Sequence, residues 1–325
     1  MEQIKKAVYW LKSIRNEDNG WGDLHGLPSR FFNTAEAMIG IIVSGDDDTE
    51  FHLDSLNCLS EAIIDKKFFK TVQLCWAAIA LLSSCMYIKY KDSILITINE
   101  LIKTANPDGG WEYDVECHSK LIKLFPTALA LRTLILAKNK ANLIKEKSLL
   151  IEIDEIINRG INWLISAQNN DGGWGIVKGD ISNIGITAHI LITLLDHHDH
   201  KNLQNIQRGI SWLLSKQKEN GEFPISEESF EVAENKFTFV HFSTPWAIIA
   251  VLKNGMEVDN VVVYAKIKNA MRYLIGLQED SGGWKKTSSD SFPFVWSTYN
   301  AIVALVMCEK FFPLYPKDEG SNVSS

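Results

Sequence analysis

The chain has 325 residues, 46% hydrophobic and 22% charged, which is enough apolar material for a large folded core. A net charge of −7 excludes the general electrostatic attraction that nucleic acid or an anionic membrane would need, so no nucleic-acid partner is expected. No segment reaches the roughly 18 uninterrupted apolar residues of a membrane span, the start lacks a cleavable apolar leader, and five scattered cysteines read as reduced core thiols. A cytoplasmic protein is the expectation.

In chain order, helices of two kinds alternate. Ile4, Val8, Leu11 and Ile14 share one face of an amphipathic helix that ends at "NEDNGWGD". Next comes "NTAEAMIGIIV", which predicts a helix over 33–43 that is apolar almost all round. The string "GDDDTE" at 45 reads as a solvated loop. After "DKKFFKTV", a turn without glycines, "TVQLCWAAIALL" predicts a second apolar helix over 71–82. "NPDGGWEYD" at 106 precedes the third, over 126–138. Ile157, Ile161, Leu164 and Ile165 mark an amphipathic helix before "NNDGGWGIVKG", and the fourth apolar helix follows over 185–195. "DHHDH" at 196 reads as a polar loop on the opposite rim. Ile206, Ile210, Leu213 and Leu214 precede "KENGEFPI", where Phe223 replaces Trp, and the fifth apolar helix covers 243–253. "QEDSGGWKKT" at 278 leads to the sixth, over 296–308, and 313–325 is expected to be a polar, disordered tail.

A helix apolar on every face has to be buried on every face. Six such helices alternating with amphipathic ones predict an all-α fold, an (α/α)6 toroid with an inner and an outer ring, built as one domain over 1–312. The glycine pairs permit the backbone angles that end an outer helix abruptly. The preceding acid bonds turn amides, and the Trp fills the gap between neighbouring pairs. Thr34, Thr71, Thr127, Thr187, Thr244 and Thr298 stand near the inner-helix starts, as amino-terminal caps would.

The strings "QNNDGGWG" and "LQEDSGGW", with the "TA" or "ST" helix starts after them, resemble the QW-type repeats of squalene–hopene and other class II terpene cyclases. They are similar also to the glycine-rich turns of protein prenyltransferase β subunits. The resemblance spans about residues 3 to 310. It implies a toroid enclosing an apolar cavity for an isoprenoid chain, with chemistry near the amino-terminal ends of the inner helices. The D-x-D-D acid cluster of class II cyclases is missing, since "SNIGITA" puts Asn183, Gly185 and Ile186 where acids would stand. The prenyltransferase zinc triad is missing too. Asp114, Cys117 and His118 lie close together, but "FVWSTYNA" supplies no His at the last inner helix, so no zinc is expected.

Residues just ahead of the inner helices would ring one mouth. Phe31, Phe32, Phe125, Phe239, Phe242, Phe294 and Trp296 are its candidate substrate-binding aromatics, able to stabilise a carbocation or to bind a long apolar ligand. Their alternative role is to fill the core and leave no cavity. Arg30, Lys123 and Lys178 are candidates for holding a diphosphate, which would bring Mg²⁺ with it, and no other cofactor is expected. Asp114, Glu116, Asp180 and His241 are the candidate proton donors, and no spacing singles one out. Two functions stay open. One is a divergent class II cyclase-like enzyme acting on a prenyl or prenyl diphosphate substrate. The other is a non-catalytic toroid that binds a lipid, peptide or protein partner.

Overall fold

The computed structural model describes residues 1–68, 70–113, 122–197, 203–232, 235–255 and 261–312. Amphipathic segments form an outer set of helices: α1 (Glu2–Ser13), α3 (Thr49–Ile64), α5 (Lys91–Thr104), α7 (Lys147–Ser166), α9 (Leu203–Ser215) and α11 (Val261–Ile275). The apolar segments form α2 (Phe31–Val43), α4 (Thr71–Ser83), α6 (Leu124–Lys138), α8 (Ile184–His197), α10 (Ser243–Lys253) and α12 (Val295–Phe311). These six pack in one closed circuit, α2 on α4, α4 on α6, α6 on α8, α8 on α10, α10 on α12 and α12 on α2. Each outer helix lies against the inner helices beside it, so the chain is an α/α toroid. Among the described residues no helix is long and apolar enough to cross a membrane.

The turns repeat one set of bonds. Trp21, Trp111, Trp174 and Trp284 are fully buried. Their indole N–H groups donate at 2.7–2.9 Å to the carbonyls of Leu11, Leu101, Leu164 and Leu274, in the last turn of the preceding outer helix. Those carbonyls lie where the helix ladder runs out, and each Trp adds a bond there; Leu164 and Leu274 also accept from the N–H groups of Ala167 and Leu277 just past the helix. The Trp backbone N–H groups donate to the hydroxyls of Thr34, Thr127, Thr187 and Thr298 at 2.8–3.1 Å, and Phe223 does the same to Thr244. These threonines are therefore not the helix caps that their position suggests. They lie inside the helices and accept from the turn, tying the outer helix to the inner one.

Glycine is indispensable where the turn meets the next outer helix. At Gly282 φ is +104°, and an added Cβ would lie 2.3 Å from the Lys6 carbonyl oxygen of α1. Gln278 spans the same seam, donating to the carbonyls of Gly282 and Gln3 at 2.9 Å each. The last turn thus grips the first helix and shuts the ring.

Two elements differ from expectation. The "GDDDTE" loop is more than solvated polar chain: Asp48 caps α3 through the Phe51 N–H, and Asp46 joins Lys12 of α1 to His52 of α3. The larger difference is an antiparallel hairpin, β1 (Ser226–Val232) and β2 (Asn235–His241), with Ser226 opposite His241. It interrupts the all-α pattern just before α10, and Gly185 admits it. A Cβ there would lie 2.3 Å from that of His241, while the Gly185 N–H donates to Ser226 Oγ at 3.0 Å.

A candidate active site in the axial cavity

The inner ring encloses a cavity of about 840 Å³ that opens at the amino-terminal ends of its helices. Its wall is aromatic: Phe31, Phe32, Trp76, Phe125, Phe239, Phe242, Trp246 and Trp296 all line it. The rings interlock. Phe125 stacks tilted on Phe239 at 5.0 Å, Phe32 meets Phe239 edge-on at 6.2 Å, and Trp76, Trp246 and Tyr299 form a triangle at 5.7–6.2 Å. The hairpin supplies Thr238, Phe239, Val240 and His241 to the same wall.

Within this wall stands Glu36, on the second turn of α2 and only 4% exposed. Its Oε2 has no hydrogen-bond partner among the described residues. Burial, and after it the carboxylate of Asp23, pushes the Glu36 carboxyl well above its ordinary pKa of 4.5. Asp23 itself is held away from Glu36 by Asn33 Nδ2 at 2.9 Å and by Arg30 at 3.2 Å. The neighbouring Tyr299 phenol is likewise held neutral, first by burial and then by Glu36. A carboxylic acid kept protonated against π faces is a Brønsted acid in a place where the cation it creates can be stabilised.

Across the cavity, His241 packs edge-on against Phe125 at 4.9 Å. Its Nε2 faces Glu228 Oε2 of β1 at 3.4 Å, with both side chains buried, and its Nδ1 has no partner among the described residues. In the tautomer with its hydrogen on Nε2, the ring donates to Glu228 and leaves the lone pair on Nδ1, the arrangement of a base oriented by a carboxylate. Tyr113, also on the wall, stays a neutral phenol through burial and the nearby Glu228. His189 lies 4.3 Å from Trp246, and burial, then His241 and Arg132, drive its pKa well below 6.5, so its ring is neutral. Arg132 faces Asp196 at 3.4 Å, and Asp196 also pairs with Lys253, a network toward the carboxy-terminal ends of the inner helices.

Of the residues singled out in the sequence, Arg30, Phe31, Phe32, Phe125, Phe239, Phe242, Trp296 and His241 lie on the cavity wall. Phe294, Lys123, Lys178 and Asp180 do not. Phe294 turns to stack on Trp296 at 5.6 Å under Lys286, Lys178 is exposed and reaches Ser166, and Asp180 is exposed in the turn, where its carbonyl accepts from Asn169. Lys123 precedes α6 and bridges to Trp111 through its backbone. Asp114, Glu116, Cys117 and His118 lie outside the described residues, as do His198, Asp199 and His200. Sequence reasoning missed Glu36, Trp76, Trp246 and His189. One signal was available: Glu36 is the one ionisable residue in a mostly apolar helix, and a buried charge is too costly to be there without cause.

The A-macroglobulin TED domain family model matches residues 113–282, more than half of the chain. The prenyltransferase alpha-alpha toroid domain model matches residues 43–158. A squalene–hopene cyclase of Zymomonas mobilis is 36% identical over 69 residues, which is 18% of this chain and 10% of that enzyme. The chain therefore matches only a tenth of the length of this curated relative. A type II terpene cyclase from Scytonema superposes with a TM-score of 0.64 at 14% identity, over 95% of this chain and 97% of that one. The same cyclase has been solved with geranylgeranyl dihydroxybenzoate as substrate. A protein solved with the saccharide dGlcA-Glc-Rha-Glc superposes at 0.70, with 11% identity and coverage of 95% and 96%. At these identities the superpositions establish the toroid alone. By the model that spans more than half of it the chain belongs to the A-macroglobulin TED domain family, and over part of its length it is similar to the prenyltransferase alpha-alpha toroid domain and to a squalene–hopene cyclase.

Proposed function

We propose that this protein is an acid-initiated enzyme of the terpene cyclase type, acting on an isoprenoid held in the axial cavity. The observation that carries the proposal is Glu36, a buried carboxyl on an aromatic wall whose Oε2 has no partner among the described residues and whose proton is held by burial well above the ordinary carboxylate range. Glu36 takes the part that an acid cluster plays in class II cyclases, with burial in place of neighbouring carboxylates keeping its proton on. Its proton moves to the substrate, and a carbocation forms as the carboxylate does. The faces of Trp76, Trp246, Phe125 and Phe239 stabilise that cation, each by about 0.5–2 kcal/mol. The Nδ1 lone pair of His241 then takes a proton from a carbon next to the cationic centre, leaving a new double bond.

Incubation with farnesyl, geranylgeranyl and squalene-type substrates, followed by product analysis, tests this reading. Glu36→Gln is expected to lower turnover by about 10²–10⁴, the usual contribution of a general acid, while substrate binding persists. Turnover unaffected by this change would remove Glu36 from the role. A second reading, a toroid that binds its ligand without chemistry, draws support from the A-macroglobulin TED domain match, which names a domain and no cyclase activity. Inertness of the unaltered protein across chain lengths would favour it.

A further inference from the structure

Besides His241, three side chains on the cavity wall carry polar atoms that no described residue satisfies. Asn33 is 0% exposed, Trp76 3% and Glu36 4%, and Asn33 Oδ1, Trp76 Nε1 and Glu36 Oε2 all lack a hydrogen-bond partner. The Asn33 amide is oriented without ambiguity. Its Nδ2 donates to Asp23 Oδ1 at 2.9 Å, and a carboxylate only accepts, so Oδ1 is the atom left over. Trp76 meets the Tyr299 ring at 5.7 Å, and Glu36 is, after burial, what helps to hold the Tyr299 phenol neutral. Asn33 and Glu36 are three residues apart on one face of α2. The wall of one cavity thus presents an unpartnered acceptor, an unpartnered donor and an acid among its aromatic rings.

A hydrocarbon end placed there would leave all three groups buried without partners. An anion suits the place no better. Asp18 and Asp23 line the same cavity, and of its cations Arg30, Lys67 and Lys70 the first two pair with Asp23 at 3.2 Å and Asp65 at 3.0 Å, while Lys70 is not free either. The smallest neutral group that both donates and accepts is a hydroxyl. We propose that Asn33, Glu36 and Trp76 form a subsite for a neutral hydroxyl, so that the isoprenoid enters as a prenyl alcohol rather than as a hydrocarbon or a diphosphate. Asn33 Oδ1 accepts the hydroxyl proton and Trp76 Nε1–H donates to its oxygen. This inference rests on the isoprenoid reading of the cavity and specifies its substrate. It also gives the acid step a definite form. The Glu36 proton goes to the hydroxyl oxygen, the C–O bond breaks, water leaves with the bonding pair, and an allylic cation remains. His241 removes a proton from the adjacent carbon, so that alcohol is converted to diene and water.

The test uses the whole chain and three probes: farnesol, farnesyl diphosphate, and the hydrocarbon in which the farnesol hydroxyl is replaced by hydrogen. Binding is read from quenching of tryptophan emission, and products from gas chromatography. Farnesol is expected to bind at least tenfold more tightly than either of the others, and Trp76→Phe, which removes the N–H and keeps an aromatic ring, is expected to abolish that preference without weakening the hydrocarbon. Glu36→Gln is expected to keep the preference and lose the product. Equal affinity for farnesol and its hydrocarbon, or tighter binding of the diphosphate, overturns the hydroxyl subsite; product formed from either of those by the unaltered protein and lost in Glu36→Gln would leave the acid reading intact. Farnesol bound selectively but never converted upholds the subsite and overturns the enzyme. Binding of none of the three, or of an uncharged oligosaccharide in their place, overturns both.

Discussion

A single carboxyl decides most of what this cavity can do, and its burial has a measurable consequence for stability. Glu36 is uncharged in the folded protein at pH values where the unfolded chain would ionise it. For an acid whose folded pKa is raised, the native state holds the extra proton, so stability falls as pH climbs from about 4.5 toward the folded pKa and stays reduced above it. Glu36→Gln removes that penalty while keeping the shape and the hydrogen-bonding atoms. Its melting temperature is expected to exceed that of the unaltered protein at pH 8 by about 2 °C or more, with the gap closing below pH 4.5. A gap of the same size at both pH values would show that titration of Glu36 is not its origin. Gain of stability with loss of turnover is the usual signature of a strained catalytic group.

At the scale of elements, the turns hold the architecture and the hairpin shapes the site. At Gly109, Gly172, Gly221 and Gly282 the turn lies against the backbone of the next outer helix, so a methyl group there has nowhere to go, whereas the first turn carries Asn19 in the left-handed conformation. Gly282→Ala faces a left-handed φ of +104° and the Lys6 carbonyl at 2.3 Å. It is expected to cost about 1–3 kcal/mol in urea unfolding. Gly276, six residues earlier, has no such φ and its nearest neighbour, the Tyr273 carbonyl oxygen, is 3.4 Å away. Gly276→Ala is expected to lie within about 0.5 kcal/mol of the unaltered protein. Equal effects at the two positions would mean that the turn geometry is not what the glycine secures. The hairpin acts differently: it leaves the ring unchanged and lays Phe239 and His241 over the cavity, which makes it the element that converts a hole through a toroid into a walled site.

For the whole molecule, the consequence of closure is that no seam should be weaker than another. Gln278 bonds the last turn to Gln3 at 2.9 Å, and Gln168 bonds an internal turn to Asn205 at the same distance. Gln278→Ala and Gln168→Ala are therefore expected to lower stability by similar amounts, about 1 kcal/mol each. A neutral Gln278→Ala beside a costly Gln168→Ala, measured by denaturant unfolding, would show that the ring stands open at that seam in solution.

Periodicity in the sequence determined the toroid. Six segments apolar on all sides must be enclosed, and the repeated turns mark where each outer helix ends, so α10 falls on 243–253 as predicted and the other inner helices within three residues at either end. The same property hid the site. A helix buried on every face has no amphipathic bias to say which side chains meet the axis, and only the packing of α2, α4, α6, α8 and α10 around one cavity turned Glu36, Trp76, Phe125, His189 and Trp246 toward it. Rim position misled for a related reason: Lys123, Lys178, Asp180 and Phe294 precede or lie near inner helices in the chain, yet the turn loops carry their side chains away from the cavity. The hairpin had a local signal in the alternation of "KFTFVH", but its place over the cavity depends on contact with Gly185, some forty residues distant along the chain. Local patterning fixes which surfaces must be buried, whereas the direction of each buried side chain is settled only when the surrounding helices have closed on one another.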